Sequence, residues 1–243
     1  MKNVKVSAKE SLVPSGDRGF FLPKNPSEFD FVIGLDEVGV ACLAGPVVAG
    51  AFAYPLQGTF VETFQSSIRI HDSKKLSEVQ RETAEDFLRT NFQSQCYSHV
   101  AQADVEEIDK INIYHASGLA MSRALFGVTQ QIESSFGANY RAMVFIDGNK
   151  IPMALRKLTS NLNFQCVVKG DGKIFAVACA SIFAKNFRDQ MMKDLSEKFP
   201  GFGWESNVGY PTPEHKQAIL KQGVNEFHRR SFAPVREYLE QHL

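Results

Sequence analysis

This chain has no Cys-x-x-Cys pair, no long apolar run and no surplus of either charge, and each absence closes off a class of protein. The four cysteines, Cys42, Cys96, Cys166 and Cys179, stand apart among apolar neighbours, with no histidine at zinc spacing. They read as reduced core thiols, not as a zinc or redox centre. No stretch approaches the ~18 apolar residues that a membrane span needs. The first residues, with Lys2, Lys5, Lys9 and Glu10, hold no continuous apolar segment that would direct export. A cytoplasmic protein without membrane contact is expected. Lys plus Arg and Asp plus Glu both come to 27, so total charge argues neither for nor against nucleic acid, and any phosphate-binding surface must be local. Internal repeats and low-complexity tracts are missing too, which leaves no sign of a solenoid or an array. Nothing points to self-association, and a monomer is expected.

What is present is globular material: 243 residues, 44% of them hydrophobic, enough for the core of one large domain or of a domain with a small appendage. Residues 1–29, with Pro14, Gly16, Gly19, Pro23 and Pro26 among polar residues, show no sustained period and read as an extended or partly disordered arm, pinned to the body by Phe20 and Phe21. A loop after Pro55 ends in Asp72-Ser-Lys-Lys-Leu-Ser77. Ser77 and Gln80 have capping-box spacing, and Ala84, Phe87 and Leu88 carry a helical face onward. Residues 95–101 alternate as a strand, 105–111 read as a short acidic helix, and a longer helix starts at Asn112 with Ala116, Leu119, Ala120, Ala124 and Leu125 as its buried stripe. Residues 142–146 and 163–168 are buried strands. A helix follows over 173–199, and its early part is dense in small residues, which lets a helix backbone come close to a sheet. The arrangement is that of an α/β domain over 30–200 with a helical part over 201–243 packed on it.

Residues 31–53 organise the rest. Phe31-Val-Ile-Gly-Leu leads into Asp36 and Glu37, breaks at Gly39 and Gly45, and resumes as a second small, apolar run. The pattern is a buried strand, a tight turn and a hairpin partner. Adjacent acids at the edge of a core repel each other and resist desolvation, and a divalent cation is the usual compensation. Asp147 and Asp171 share their placement at or just past the end of an apolar strand, and such ends converge on one edge of an α/β sheet. Four carboxylates so gathered suit two Mg²⁺ or Mn²⁺ ions about 3.5–4 Å apart and the metal-assisted hydrolysis of a phosphodiester. Each acid also has an ordinary reading: Asp147-Gly148 is a common turn dipeptide, and Asp171 could serve only as a helix N-cap. Asp189 and Glu197 are assigned to a solvated helix face.

Several blocks carry a resemblance: Gly34-Leu-Asp-Glu-Val-Gly39 with Leu43-Ala-Gly-Pro-Val-Val48, Asp72-Ser-Lys-Lys-Leu-Ser77, Val144-Phe-Ile-Asp-Gly-Asn149, Lys169-Gly-Asp-Gly-Lys173 through Asp189, Gly209-Tyr-Pro-Thr212, and His228-Arg-Arg-Ser-Phe-Ala-Pro-Val-Arg236. Together they resemble the bacterial type 2 ribonucleases H. The resemblance implies a ribonuclease H-like mixed sheet flanked by helices, with a helical C-terminal extension. It also implies an endonuclease that cuts the RNA strand of RNA-DNA duplexes, including single ribonucleotides embedded in DNA, and leaves 3′-hydroxyl and 5′-phosphate ends. Asp36, Glu37, Asp147 and Asp171 match the metal-binding acids. Ser73, Lys74 and Lys75 match a phosphate-contacting block, as loop residues beside a helix N-terminus. Lys169 and Lys173 flank Asp171, either positioning a phosphate or offsetting the acids. Tyr210 matches the tyrosine that packs against the nucleotide next to the ribonucleotide. The arginines of the last block either reach phosphates or pair with Glu226 and Glu237. An aspartate at position 171 is like type 2; the related type 3 enzymes carry glutamate there and a longer N-terminal domain.

One departure stands out. The family usually has Gly-Arg-Gly where this chain has Gly39-Val40-Ala41, a loop whose backbone and arginine surround the 2′-hydroxyl and neighbouring phosphates. The change removes a fork of charge-assisted donors but leaves the acids in place, and altered junction selectivity is expected. A second reading is a nucleic-acid-binding relative that has lost cleavage with that loop. A third, a P-loop nucleotide site on Gly34 and Gly39, fails where Val40 and Ala41 replace the required Lys and Ser/Thr.

Overall fold

A computed structural model of the chain describes residues 12–15, 20–56, 70, 73–156 and 161–242. The chain opens with two short antiparallel strands, β1 (Leu12–Ser15) and β2 (Phe20–Pro23). The body follows as β3 (Phe31–Val38), β4 (Val47–Pro55), α1 (Glu78–Phe92), β5 (Tyr97–Ala103), α2 (Val105–Ile111), α3 (Ile113–Phe136), β6 (Ala142–Asp147), β7 (Leu162–Val167) and α4 (Phe175–Lys198). Three shorter helices end it: α5 (Trp204–Asn207), α6 (Pro213–Gln222) and α7 (Ala233–His242). Among the described residues no helix is long and apolar enough to cross a membrane.

The five-stranded sheet runs β5-β4-β3-β6-β7. β3, β4 and β5 pair antiparallel, whereas β3, β6 and β7 run parallel, so the sheet is mixed and β3 is central. A strand covered on both faces reads as a continuous apolar run, and β3 does. Phe31, Ile33 and Leu35 meet Ala116, Ala120, Ala124 and Leu125 of α3 in one core. Val32 points the other way, into a second core with Phe52, Tyr54 and Phe145 from the sheet, Ala176, Val177 and Ala180 of α4, and Leu88 of α1. The small residues at the start of α4 do what their size allows. A methyl on Gly34 would fall 2.1 Å from the Ala176 carbonyl carbon, and one on Gly50 2.2 Å from the Ala180 oxygen. Two glycines thus make the seat on which α4 lies.

The expected capping box is formed: Ser77 Oγ accepts from Gln80 N–H and Gln80 Oε1 accepts from Ser77 N–H. Phe20 is buried with its ring against Phe175, and Phe21 N–H donates to the Lys173 carbonyl, so the N-terminal strands are tied to the body there. Residues 1–11 and 16–19 of the arm lie outside the described residues. All four cysteines are free, Cys42 and Cys179 buried, Cys96 and Cys166 half-buried. A third core joins Leu43 and Ala44 of the β3–β4 turn, Met192 and Leu195 of α4, and Trp204, Ile219 and Val235 of the C-terminal helices.

Two expectations need correcting. Asp189 is buried, not solvated: it pairs with Arg81 of α1 at 2.8 Å and with Lys185 one turn earlier at 2.7 Å. The partner that draws it inward is 108 residues away in the chain, which helix periodicity cannot register. The arginines of the last block pair with neither Glu226 nor Glu237. Arg229 is buried and donates to backbone carbonyls, and Arg236 lies 3.9 Å from Glu240.

Candidate active site

Alternation along the strands decides which way each acid faces. On β3 the residues before Asp36 on its side of the sheet are Gly34 and Val32, which face α4. On β6 the residue two before Asp147 is Phe145, packed in the same core. β3 and β6 are parallel and in register, Leu35 opposite Ile146, so Asp36 and Asp147 end neighbouring strands on one face. Asp171 follows β7 in the 3-10 turn Gly170–Gly172 and is buried. The Gly170 N–H donates to Asp147 Oδ1 at 2.7 Å, which ties that turn to the end of β6. Asp171 is not the cap of α4: the N-cap is Ile174, which has no side chain able to cap.

Each aspartate is oriented by a backbone amide. Asp36 Oδ1 accepts from Glu37 N–H at 2.8 Å, and Asp171 Oδ1 from Gly172 N–H at 2.9 Å. Burial, then the charge of Glu37, and further the charges of Asp147 and Asp171, push the Asp36 carboxyl well above the usual carboxylate range. A hydrogen bond from the Ser181 hydroxyl opposes that rise. With its proton committed to Asp36, Ser181 accepts from Ser73, whose oxygen is 2.8 Å away. Ser73 is therefore buried and turned inward, holding the lysine loop to α4 instead of facing a phosphate. Lys75 is exposed; Asp72 and the side chain of Lys74 lie outside the described residues.

Lys169 and Lys173 are exposed on either side of Asp171, and Lys173 Nζ donates to the Val168 carbonyl at 2.6 Å. Lys169 is left-handed (φ 57°), a conformation that costs a non-glycine residue about 1 kcal/mol and here turns the chain from β7 into the Asp171 turn. Tyr210 is partly exposed beside the 39–46 turn, whose Leu43 N–H donates to the Gly209 carbonyl at 2.7 Å. In that turn Gly39 has φ 88°, Val40 is exposed and Ala41 follows at the surface.

The ribonuclease HII family model matches residues 33–235. The ribonuclease HII of Paracoccus denitrificans is 44% identical over 209 residues, covering 86% of this chain and 88% of that protein. The chain belongs to the ribonuclease HII family. Among solved structures, the ribonuclease H2 of Pyrococcus horikoshii superposes with a TM-score of 0.67 at 23% identity, over 87% of this chain and 98% of that one. Bst-RNase HIII in complex with Mn²⁺ superposes with a TM-score of 0.64 at 17% identity, over 90% and 73%. Both share the mixed sheet flanked by helices. As a ribonuclease HII family member the chain is an enzyme, an endonuclease.

The donors at this edge are hard carboxylate oxygens, which suit Mg²⁺ or Mn²⁺ and not a soft metal. Among the described residues no three His, Cys, Asp or Glu side chains already form a finished metal-binding group. The fit rests instead on Asp36, a buried carboxyl loaded with three like charges, which an ion of opposite charge would relieve. The two grooves along β5, which share Arg89, Ser98 and Phe183, are lined by none of the four acids. Ser181 and Arg188 escape a reading by motif chemistry, and Arg229, assigned to phosphates or to a glutamate, is instead buried against backbone carbonyls. Ser181 lies in an apolar helical run, and its only signal is a lone hydroxyl among alanines.

Proposed function

We propose that this ribonuclease HII family endonuclease hydrolyses the RNA strand of RNA-DNA duplexes and cuts at single ribonucleotides embedded in DNA, leaving 3′-hydroxyl and 5′-phosphate ends. The observation that carries the reading is the buried Asp36 carboxyl at the end of β3, with Glu37 beside it and the charges of Asp147 and Asp171 acting on it. Asp36, Glu37, Asp147 and Asp171 are the residues that would hold Mg²⁺ or Mn²⁺. Those ions, when bound, supply the positive charge that activates water and stabilises the leaving oxygen. The chain's own part is to hold the carboxylates in place through the amides of Glu37, Gly170 and Gly172 and the hydroxyl of Ser181.

Lys75, Lys169 and Lys173 are exposed at this edge and contact the phosphates, as does Lys74 beside them in the sequence, while Ser73 fixes the lysine loop from behind. Gly39, Val40 and Ala41 present backbone to the ribose, and Tyr210 stacks on the neighbouring nucleotide; the 2′-hydroxyl is what marks the ribonucleotide. Residues 30–200 form the catalytic domain and 201–243 the substrate-binding part, in a monomer that works in the cytoplasm. With the acid set retained, no observation favours a binding protein that has lost cleavage.

Two end-labelled duplexes test the reading, one with a lone ribonucleotide in DNA and one a continuous hybrid, each with Mg²⁺ or Mn²⁺. Wild type is expected to cut both, the first on the 5′ side of the ribonucleotide. Asp147→Asn is expected to lose more than the about 10- to 100-fold typical of an outer-shell change while duplex binding stays. Equal cleavage by wild type and Asp147→Asn would remove Asp147 from the site.

A further inference from the structure

Two arginines lie behind the 39–46 turn with no exposure at all. Arg188, on α4, donates from Nε to the Pro46 carbonyl (3.1 Å), from Nη1 to Val208 (2.8 Å) and from Nη2 to Ala44 (3.0 Å). Arg229 donates from Nε to Gly45 (2.9 Å) and from Nη1 to Val40 (3.0 Å). All five acceptors are backbone carbonyls, and neither guanidinium forms an ion pair among the described residues. Burying an unpaired cation costs several kcal/mol, so a turn that needed stability alone would be better filled with apolar side chains. Arginine offers something those cannot: rigid planar donors that fix several carbonyls at once.

The turn has been shaped to accept them. A methyl on Gly39 would sit 2.2 Å from Arg188 Nε. The Val208 carbonyl that Arg188 grips also takes the Cys42 thiol, at 3.6 Å, so both sides of the contact between the turn and the Tyr210 segment meet at one oxygen. One nitrogen is left over: among the described residues Arg229 Nη2 is buried without a hydrogen-bond partner. Val40 joins this machinery through its carbonyl, while its side chain is exposed.

We propose that Arg188 and Arg229 are positioning residues for substrate choice, locking the backbone of residues 39–46 to the Val208–Gly209–Tyr210 segment so that a ribonucleotide is read by backbone and ring without any help from the side chain of residue 40. This rests on the reading of that turn and Tyr210 as substrate contacts. Side-chain chemistry at position 40 then tunes affinity, while the arginines hold the geometry that separates ribose from deoxyribose. Arg→Lys keeps the charge and gives up the fork.

The test uses the full chain as wild type, Arg188→Lys and Arg229→Lys, with two readouts. Hydrogen exchange over residues 39–46 reports the lock directly, and kcat and KM on the lone-ribonucleotide duplex and the continuous hybrid report substrate choice. Both variants are expected to exchange faster in the turn but not in β3, β4 or β6. They are expected to lose about tenfold to a hundredfold more kcat/KM on the lone ribonucleotide than on the hybrid. Unchanged exchange, or an equal loss on both duplexes, would overturn the proposal. If Arg229→Lys fails to fold, Arg188→Lys alone decides, since it gives up a separate set of carbonyls. A wild type that cuts the hybrid but ignores the lone ribonucleotide would overturn the reading of the turn and substrate choice with it, while the exchange data would still show whether the arginines hold the backbone.

Discussion

Asp36 is held by two kinds of neighbour with opposite effects. Glu37, Asp147 and Asp171 crowd it with like charge, and the Ser181 hydroxyl and the Glu37 amide give its oxygens donors. Ser181 in turn leans on Ser73, at 2.8 Å, so a hydroxyl pair links the lysine loop to the acid cluster through α4. Removing the Ser181 hydroxyl leaves the Asp36 carboxylate free to turn and Ser73 without its partner. Ser181→Ala is therefore expected to lower cleavage about 10- to 100-fold and to raise the Mg²⁺ concentration for half-maximal rate, as the loss of an outer-shell partner does. A Mg²⁺ titration of initial rate checks it, and a lower rate at an unchanged half-maximal concentration would place Ser181 outside the ion's support. Gly39 makes the same point about backbone. At φ 88° with Arg188 Nε in the way, Gly39→Ala is expected to cost about 2 kcal/mol or more, read as a lower urea midpoint.

Helix α4 carries much of the site's support on one element: Ser181 beneath Asp36, Asp189 against Arg81, and Arg188 behind the turn. Its position depends on the two glycines under it. Gly34→Ala places a methyl 2.1 Å from backbone that cannot swing aside, and a destabilisation of about 3 kcal/mol is expected from such overpacking. Gly172→Ala, with open space around it and no positive φ, is the control expected to change stability by less than about 1 kcal/mol. Paired urea melts separate the two. This division also marks what a reader of the sequence could see. The strands that end in acids were legible because a covered strand is a continuous apolar run, and the capping box because its two partners are three residues apart. Asp189 was not, because Lys185 one turn before it makes a surface pair just as plausible while Arg81 comes from another helix. Arg188 goes unread and Arg229 is misassigned for a related reason: their partners are carbonyls, which no side-chain pattern records. The Ser73 hydroxyl was read outward for want of knowing that Ser181 stood behind it.

At the scale of the whole molecule, the sheet and the C-terminal helices meet at the 39–46 turn, and that junction contains a buried pair of histidines. His215 donates from Nδ1 to the Tyr210 carbonyl at 2.9 Å, which leaves Nε2 to accept from Trp204 Nε1–H at 3.0 Å. His228 Nε2 is 3.2 Å from the same nitrogen, and His228 bridges to Ala44 of the turn. Burial lowers both histidines, His228 to about 3, with the charge of His215 adding to the effect. A histidine whose folded value is depressed contributes stability that is complete above its unfolded value of 6.5 and is lost as pH falls from there towards 3. From His228 alone the loss is about 2 kcal/mol by pH 5. Asp36 works with the opposite sign, since its raised carboxyl makes the metal-free protein more stable as it takes up a proton, so the histidine contribution is read as a difference. Trp204, the single tryptophan, packs against both rings and reports the region by its fluorescence. Urea midpoints followed at Trp204 at pH 7.5, 6 and 5 are expected to fall more steeply in wild type than in His228→Gln, which has no proton to gain. Parallel pH profiles for the two proteins would mean that His228 is not held neutral. A steeper wild-type fall accompanied by a loss of lone-ribonucleotide cleavage below pH 6 that His228→Gln does not share would trace one path, from the histidine pair through the Tyr210 carbonyl to the 39–46 turn.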